Sequence, residues 1–266
     1  GTEKCLTEEG YVLEKHLFER WIAEEAVAAG ASLHLGHKLL SMERVEGETF
    51  GGWICDGKGD QFPIRAKIVI DASGVAAVCS RLVKSEGDAP LNPKGKVVAG
   101  MQYEMLDVPT DGYLDFYIWP KYAEKGYLWM IPKCDGRANV GLVTEDKPRT
   151  KKALDEFIAD THFSDLDQAL PPWKEKGSPA FGGTIPISGP FDRTHHDGLM
   201  LVGDAAGFTS PLFEGGSHLA LKSAVFAAQT AAKAISEGDL SSDRLSEYTR
   251  LWKAEFPPYE KILRGK

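Results

Sequence analysis

Apolar and polar positions follow two different periods along this chain and divide it into helical and extended stretches. From residue 11 to Gly30 the apolar side chains recur at helical spacing, and we predict an amphipathic helix that Gly30 ends. Residues 33–45 and 49–55 alternate loosely on either side of a Glu-Gly-Glu turn, which predicts a short β segment covering one edge of a sheet.

Between residues 90 and 190 the pattern is that of an antiparallel sheet. Aromatic and β-branched runs of strand length, divided by turn residues, lie at 96–105, 113–119, 126–132 and 137–143. A helix is predicted for 151–160 and a returning strand for 182–187, with a Pro-Pro-Trp break at 171–173 between them. The pattern therefore predicts a β-sheet domain inserted into an α/β domain.

Two short apolar runs each end in an acidic residue and glycine. One leads into Asp71-Ala72-Ser73-Gly74, and the other, 199–202, leads into Gly203-Asp204-Ala205-Ala206-Gly207. A carboxylate at the end of a buried strand is costly unless it makes hydrogen bonds, and a sugar-like polyol would supply them. We expect the two strand ends to lie side by side at the C-terminal edge of a parallel sheet, where open α/β folds bind ligands.

The second run continues through a loop into a long Ala-rich helix predicted for 219–235, with Gly215 and Gly216 at its start. Unpaired backbone N–H groups and the helix dipole favour an electron-rich group there, and the missing Cβ atoms let a flat ligand approach. We expect Asp204 and this glycine pair to hold two parts of one elongated cofactor. The alternative is an ordinary strand-turn-helix without a ligand.

Composition narrows the class of protein only slightly. The 266 residues are 42% hydrophobic and 26% charged, enough for one sizeable core or two modest ones, and the net charge of −8 argues against nucleic-acid binding. Four scattered cysteines without a CxxC pair predict neither a disulfide framework nor a metal site. No apolar run is long enough to span a bilayer. We therefore predict a cytoplasmic protein with at most peripheral membrane contact.

Three stretches resemble the FAD-dependent oxidoreductases. GDAAG followed by Pro211 and the glycine pair resembles their C-terminal flavin motif, and residues 12–31 and 68–82 resemble two further FAD-contacting segments. The resemblance implies that Asp204 binds the ribityl chain and that the start of the Ala-rich helix faces the isoalloxazine. The implied cofactor contacts are Lys15, Asp71, Gly74, Gly203, Asp204, Ala205, Gly207, Pro211, Gly215 and Gly216.

The chain departs from this family at three points. Lys15 replaces the usual Arg, so a point charge replaces a bidentate fork, and Ala77 replaces a frequent Ser. Nothing before Tyr11 supplies the GxGxxG of the family's opening βαβ unit, whose helix holds the pyrophosphate. We therefore expect a chain that begins after that unit and that by itself binds FAD weakly or not at all.

One strand of the predicted sheet carries a second resemblance. Residues 127–133, YLWMIPK, resemble the YxWxFPK signature of the geranylgeranyl reductases, with Ile131 in place of Phe. The resemblance implies a substrate-binding wall for an isoprenoid chain, formed by Tyr127, Trp129, Ile131 and Lys133. From residue types alone, Tyr127 and Trp129 would more often be core residues of the sheet.

Glu214 and His218, beside the predicted flavin loop, are the candidate catalytic acid or base groups. Desolvation beside a flavin would raise the pKa of a carboxyl, although a helix N-terminus opposes that shift. The other histidines considered, His34, His37, His195 and His196, are expected on the surface or in turns. No third ligand joins either pair to complete a zinc site.

These features predict an α/β (α+β) fold with three parts. A partial FAD-binding Rossmann-like domain comprises 1–90 and 190–240, an antiparallel β-sheet substrate domain comprises 91–189, and a C-terminal helical segment comprises 241–266. The resemblance implies an FAD-dependent reductase that transfers a hydride to isoprenoid C=C bonds, with NAD(P)H or ferredoxin as electron donor. The alternatives are a flavin monooxygenase or halogenase, which would not explain YLWMIPK, and a non-catalytic isoprenoid-binding module.

Overall fold

The computed structural model describes residues 11–45, 48–82, 95–108, 110–160, 179–210, 215–256, 258 and 259. The chain divides into two compact units, one formed by residues 1–35 and 100–182 and the other by residues 36–99 and 183–266. The predicted mixture of an α/β part with an inserted antiparallel sheet is confirmed.

Among the described residues, the first unit contains two helices and part of an antiparallel sheet. The helices are α1 (Lys15–Ala28) and α3 (Thr150–Ala159). The strands of the sheet are β5 (Val97–Met105), β6 (Asp115–Tyr117), β7 (Tyr127–Pro132), β8 (Ala138–Thr144) and β9 (Phe181–Pro186), in the order β6-β7-β8-β5-β9. Residues 97–99 of β5 and 183–186 of β9 belong to the second unit. These strands confirm the four predicted runs and the predicted returning strand. The predicted break at 171–173 lies outside the described residues.

The core of this unit forms where α3 covers one side of the sheet. Leu154 and Phe157, three positions apart on α3, are buried with Leu128 of β7 and Leu142 of β8. This spacing places apolar side chains on one helical face, as the sequence pattern requires. Each strand then contributes alternate residues to the core, which leaves a second face of the sheet with a different composition.

In the part of the second unit that the structure describes there are two three-stranded sheets and three helices. The strands are β1 (Lys38–Val45), β2 (Glu48–Cys55), β3 (Gln61–Ala66), β4 (Val69–Asp71), β10 (His195–His196) and β11 (Leu199–Leu201). The helices are α2 (Val78–Leu82), α4 (Ser217–Glu237) and α5 (Ser242–Glu255). All three residues of β11 are fully buried, as expected for a central strand between two neighbours.

Parallel pairing of β4 with β11 confirms the predicted neighbouring strand ends. Leu199 pairs with Val69, and Leu201 pairs with Asp71, so both strands finish at the same edge. The backbone N–H of Val202 donates to the carbonyl of Asp71 at 3.0 Å and extends the pairing by one residue.

Two sequence predictions in this unit were wrong. The β segment at 33–55 does not cover the edge of another sheet, because β1 and β2 pair with β3 in a separate antiparallel sheet. Sequence reasoning missed β3, whose Pro63 argues against a central strand but is tolerated here because β3 is an edge strand. His195 and His196 are not turn residues, because they form β10 and pair with Met200 and Leu199.

The compact units also differ from the predicted domain boundaries. α1 belongs to the unit of the inserted sheet, and the predicted separate segment 241–266 contributes α5, which packs on α4 through buried Leu245, Tyr248 and Trp252. Leu245, Tyr248 and Trp252 recur at helical spacing, so the sequence pattern predicts their shared apolar face but not the helix on which it packs. The functions assigned to the predicted domains stay predictions.

Tyr248 tests how hydrogen bonding supports the second unit. Its side chain is fully buried, and its hydroxyl donates to the Leu201 carbonyl at 2.6 Å. Tyr248→Phe removes this donor, so we expect the free energy of unfolding in a denaturant titration to fall by about 1–2 kcal/mol. Tyr259→Phe is the matched control, because Tyr259 is also buried but its hydroxyl has no hydrogen-bond partner among the described residues. Equal losses in both variants would contradict this account.

Candidate functional site

The GDAAG turn follows β11 and reverses the chain tightly. Gly203 (φ +56°) and Gly207 (φ +75°) occupy the left-handed region, where a side chain would strain the backbone. The N–H of Gly207 donates to the Asp204 carbonyl, and the N–H of Phe208 donates to the Gly203 carbonyl, both at 3.0 Å. Ala205 is fully buried. The turn therefore needs small residues at every position except Asp204.

Asp204 lies beside the start of α4, as the sequence predicted. A Cβ built on Gly216 would lie 3.0 Å from Asp204 Oδ1 and 3.2 Å from the Phe208 carbonyl oxygen. Gly216 is the N-cap residue and has no side chain with which to cap this helix end. The carboxylate, the bare backbone and the first-turn N–H groups of α4 thus form one polar recess, which we call the Asp204 recess.

The second acidic turn packs against the first one. Asp71 is 2% exposed, and its carboxylate accepts hydrogen bonds from the N–H of Ser73 at 2.9 Å and of Cys79 at 2.8 Å. These bonds hold the turn and cap the start of α2. The protein itself therefore satisfies the Asp71 carboxylate. Gly74 (φ +66°) has open space where a Cβ would be, which leaves its backbone accessible to a ligand.

Five further predicted cofactor and acid–base residues are either exposed or outside the described residues. Lys15 is exposed at the start of α1, with its Nζ 3.4 Å from Glu19 Oε1. His218 is exposed in the first turn of α4, and Gly215 is exposed just before that helix. Pro211 and Glu214 lie outside the described residues.

Residues of the YLWMIPK stretch separate onto two faces of β7. Leu128 and Met130 are 0% and 7% exposed and belong to the buried core, whereas Tyr127, Trp129 and Ile131 are only partly buried on the opposite face. Tyr127 and Trp129 therefore lie outside the buried core of this unit.

Neighbouring strands extend this opposite face. Phe116 of β6 pairs directly with Trp129, and its ring centroid lies 5.8 Å from that of Tyr127. The Tyr127 and Trp129 centroids are 5.9 Å apart. We call Phe116, Tyr127, Trp129 and Ile131 the aromatic face.

Two residues beside the aromatic face fix the orientation of Trp129. Its Nε1 donates to Gln102 Oε1 at 3.2 Å. Gly141 lies opposite it on β8, where an added Cβ would come within 2.5 Å of the indole. The indole can therefore lie against the backbone of β8 only because residue 141 has no side chain.

Lys133 lies in a group of four charged residues, the ion-pair cluster, which also contains Glu14, Glu104 and Arg137. The Lys133 side chain is only 6% exposed, and its Nζ lies 2.7 Å from Glu14 Oε2 and 3.2 Å from Glu104 Oε2. Arg137 donates to Glu104 Oε1 at 2.6 Å and to Glu14 Oε1 at 2.7 Å. Two cations and two anions thus balance one another.

These contacts shift the pKa values of both carboxyl groups downward. Hydrogen bonds first from Lys133 and then from Arg137 hold the pKa of Glu14 below its ordinary value of 4.5. Burial acts to raise the pKa of Glu104, but hydrogen bonds from Arg137 and Lys133 outweigh it, so that this pKa is also lowered. Both groups are therefore anionic at neutral pH.

Sequence reasoning missed six residues at these sites, namely Glu14, Gln102, Glu104, Phe116, Arg137 and Gly141. The predicted strands at 96–105, 113–119 and 137–143 contained five of them, but pairing register was needed to place them near β7. Glu14 had no sequence signal, because its partners lie far along the chain.

Comparison with known proteins shows which family the chain resembles. A family profile described as the geranylgeranyl reductase catalytic domain matches residues 96–170, which contain the aromatic face. Digeranylgeranylglycerophospholipid reductase of Methanocaldococcus jannaschii is 35% identical over 256 residues, covering 94% of this chain and 62% of that protein. The chain is thus similar to the geranylgeranyl reductases. A second relative, digeranylgeranylglycerophospholipid reductase 2 of Methanopyrus kandleri, is 34% identical over 96% of this chain and 64% of its own length.

Solved structures show the same similarity. A geranylgeranyl bacteriochlorophyll reductase-like protein from Thermoplasma acidophilum has a TM-score of 0.81 and 31% identity, covering 99% of this chain and 64% of that one. The flavin-dependent halogenase CmlS has a TM-score of 0.66, covering 94% of this chain and 45% of that one, but its 23% identity shows the fold alone. The chain spans 62–64% of the length of the first two reductase relatives. No helix among the described residues is long and apolar enough to cross a membrane.

The lowered carboxyl pKa values predict an acid-dependent loss of stability. A carboxyl group whose pKa is lower in the folded state stabilises the fold above its unfolded pKa, and this contribution disappears as the pH falls through the folded pKa. Glu14 should therefore stabilise the protein fully above about pH 4.5 and progressively less below it. Denaturant titrations at pH 6, 4.5 and 3 should show a smaller acid loss for Glu14→Gln than for the wild type.

Glu25→Gln provides the control for this measurement, because Glu25 is exposed in α1, the helix that begins directly after Glu14. The free energy of unfolding of Glu25→Gln should fall as steeply on acidification as that of the wild type. An identical pH dependence for Glu14→Gln and the wild type would show that the cluster contributes nothing to acid stability.

Proposed function

We propose that this chain is part of an FAD-dependent reductase that saturates C=C bonds in the geranylgeranyl chains of a glycerophospholipid. The observation that carries the proposal is the aromatic face, which lies outside the core and within the stretch that matches the reductase catalytic domain. The names of two relatives at 34–35% identity support the lipid class. Access to such a lipid would require peripheral contact with a membrane.

The Asp204 recess fits the proposed cofactor. The close approach of Asp204 to a residue without Cβ leaves an acceptor beside exposed backbone, which suits the hydroxyl groups of a ribityl chain. Open space at Gly74 lets a second part of an elongated ligand reach the backbone. Bound FAD, once reduced, would supply the hydride for the alkene.

The protein's own groups would stabilise charge on the cofactor, orient the isoprenoid chain and protonate it. The start of α4 would stabilise negative charge through its unpaired N–H groups and dipole. The aromatic face would align an isoprenoid chain by contact with flat, rigid side chains. Glu214 and His218 are the proposed proton donors for the carbon next to the hydride acceptor.

Two alternatives have less support. A flavin monooxygenase or halogenase shares the fold, but its similarity is confined to distant structures such as the one at 23% identity. A non-catalytic isoprenoid-binding module would retain the aromatic face but would not need the Asp204 recess.

Asp204→Ala tests the proposed cofactor site. Loss of a charged hydrogen-bond acceptor should weaken FAD binding by about 10- to 100-fold, because such bonds contribute about 1.5–3 kcal/mol each. The FAD content of the purified full-length reductase, of which this chain is proposed to be part, is measured by absorbance after gel filtration, together with its melting temperature. Asp192→Ala, at an exposed position of the same unit, is the control and should retain FAD. Unchanged FAD content in Asp204→Ala would remove Asp204 from the site.

Trp129→Ala and Leu128→Ala compare adjacent residues on opposite faces of β7. Leu128 is fully buried, so Leu128→Ala should lower the free energy of unfolding by about 2–5 kcal/mol. Trp129→Ala should cost only about 1 kcal/mol, because this side chain lies outside the core. It should instead raise the KM for lipid about tenfold, the effect of losing roughly 60 Å² of apolar contact at about 25 cal/mol per Å².

The assay is anaerobic reoxidation of the reduced flavoprotein by digeranylgeranylglycerophospholipid. Dithionite, NADPH and reduced ferredoxin are compared as reductants, which also identifies the electron donor. A large fall in melting temperature for Trp129→Ala with an unchanged lipid response would show that Trp129 is a core residue. Absence of lipid-dependent reoxidation in the wild type would reject the proposed activity.

A further inference from the structure

α1 is not held to the first unit by buried apolar side chains. None of its 14 residues is buried, and Leu17 and Trp21 are 56% and 55% exposed. Glu14, which immediately precedes the helix, has two roles. Its carbonyl accepts the N–H groups of Leu17 and Phe18 at 3.0 Å, and its side chain reaches Lys133 and Arg137.

The ion-pair cluster connects this helix start to the β7–β8 hairpin. Lys133 follows β7, Arg137 precedes β8, and the two are joined by a backbone hydrogen bond from the Lys133 N–H to the Arg137 carbonyl at 2.8 Å. Glu104 of β5 also contacts both cations. The position of Glu14 is therefore fixed by two cations, which are themselves fixed by a third element.

The same geometry argues against lipid binding by Lys133. Its side chain is 6% exposed, and two carboxylates already lie within 3.2 Å of its Nζ. A lipid phosphate would have to displace one carboxylate and leave it uncompensated in a partly desolvated site, which is strongly unfavourable.

We propose that Lys133 and Arg137 are positioning residues that hold the start of α1 on the sheet through Glu14, and that Lys133 does not contact the lipid. The inference deepens the proposed function and rests on it for the lipid, because the motif resemblance places Lys133 among the substrate contacts. Lys15, the next residue after Glu14, is the predicted cofactor contact. Fixing the backbone at Glu14 therefore also fixes the backbone from which Lys15 extends.

Hydrogen exchange of the α1 amides tests this role directly. Lys133→Met and Glu14→Gln should each accelerate exchange across residues 15–28 on the order of tenfold, and the double variant should add little, because both remove the same interaction. Lys133→Arg keeps the charge and should exchange nearly as slowly as the wild type. Lys121→Met is the control, because Lys121 pairs with Asp160 at 2.7 Å in the same unit but away from Glu14.

Kinetics of lipid-dependent flavin reoxidation provide the second measurement. Lys133→Met should leave the KM for lipid within about twofold of the wild type, whereas Trp129→Ala raises it. A tenfold rise in KM for Lys133→Met with unchanged α1 exchange would overturn the proposal and make Lys133 a lipid contact. If the wild type shows no lipid-dependent reoxidation, the proposed function fails, and the exchange data alone decide whether Lys133 positions α1.

Discussion

The parallel pairing of β4 with β11 is the constraint on which the second unit depends. Their register places Asp71 beside Leu201, so that two acidic turns follow at one edge of the same sheet. Only a fully buried central strand can hold that register firmly, and each of the three residues of β11 is fully buried. Hydrophobic burial thus determines where the polar turns lie.

The two acidic turns use their carboxylates differently. Asp71 is enclosed by its own turn and capped by backbone N–H groups, which offset the cost of burying a charge. Asp204 instead lies next to the start of α4, where Gly216 has no Cβ. One carboxylate is therefore enclosed within its own turn, and the other lies beside the backbone of a helix start.

The two faces of β7 in the first unit also have different roles. One face contributes Leu128 and Met130 to the core, while the other carries aromatic rings in mutual contact. The strand ends at the ion-pair cluster, which is partly buried and neutral overall. Because each cation there is matched by carboxylates, the cluster can be partly desolvated and still join separate segments of the chain.

The sequence by itself determined most of the elements, because periodicity is a local property. The helix predicted for 11–30 spans Lys15–Ala28, and the one predicted for 219–235 spans Ser217–Glu237. The alternation in YLWMIPK was also sufficient to place Tyr127 and Trp129 on one face.

Only the tertiary structure decided what those faces and charges contact. Whether Trp129 lies inside or outside the core depends on which side α3 covers, and that cannot be deduced from residue types. The partners of Lys133 come from Glu14 and Glu104, which are distant in sequence and are brought to it by strand register and the path of the chain into α1. Local patterns specify elements, whereas long-range packing and desolvation decide which polar groups are satisfied internally and which stay available to a ligand.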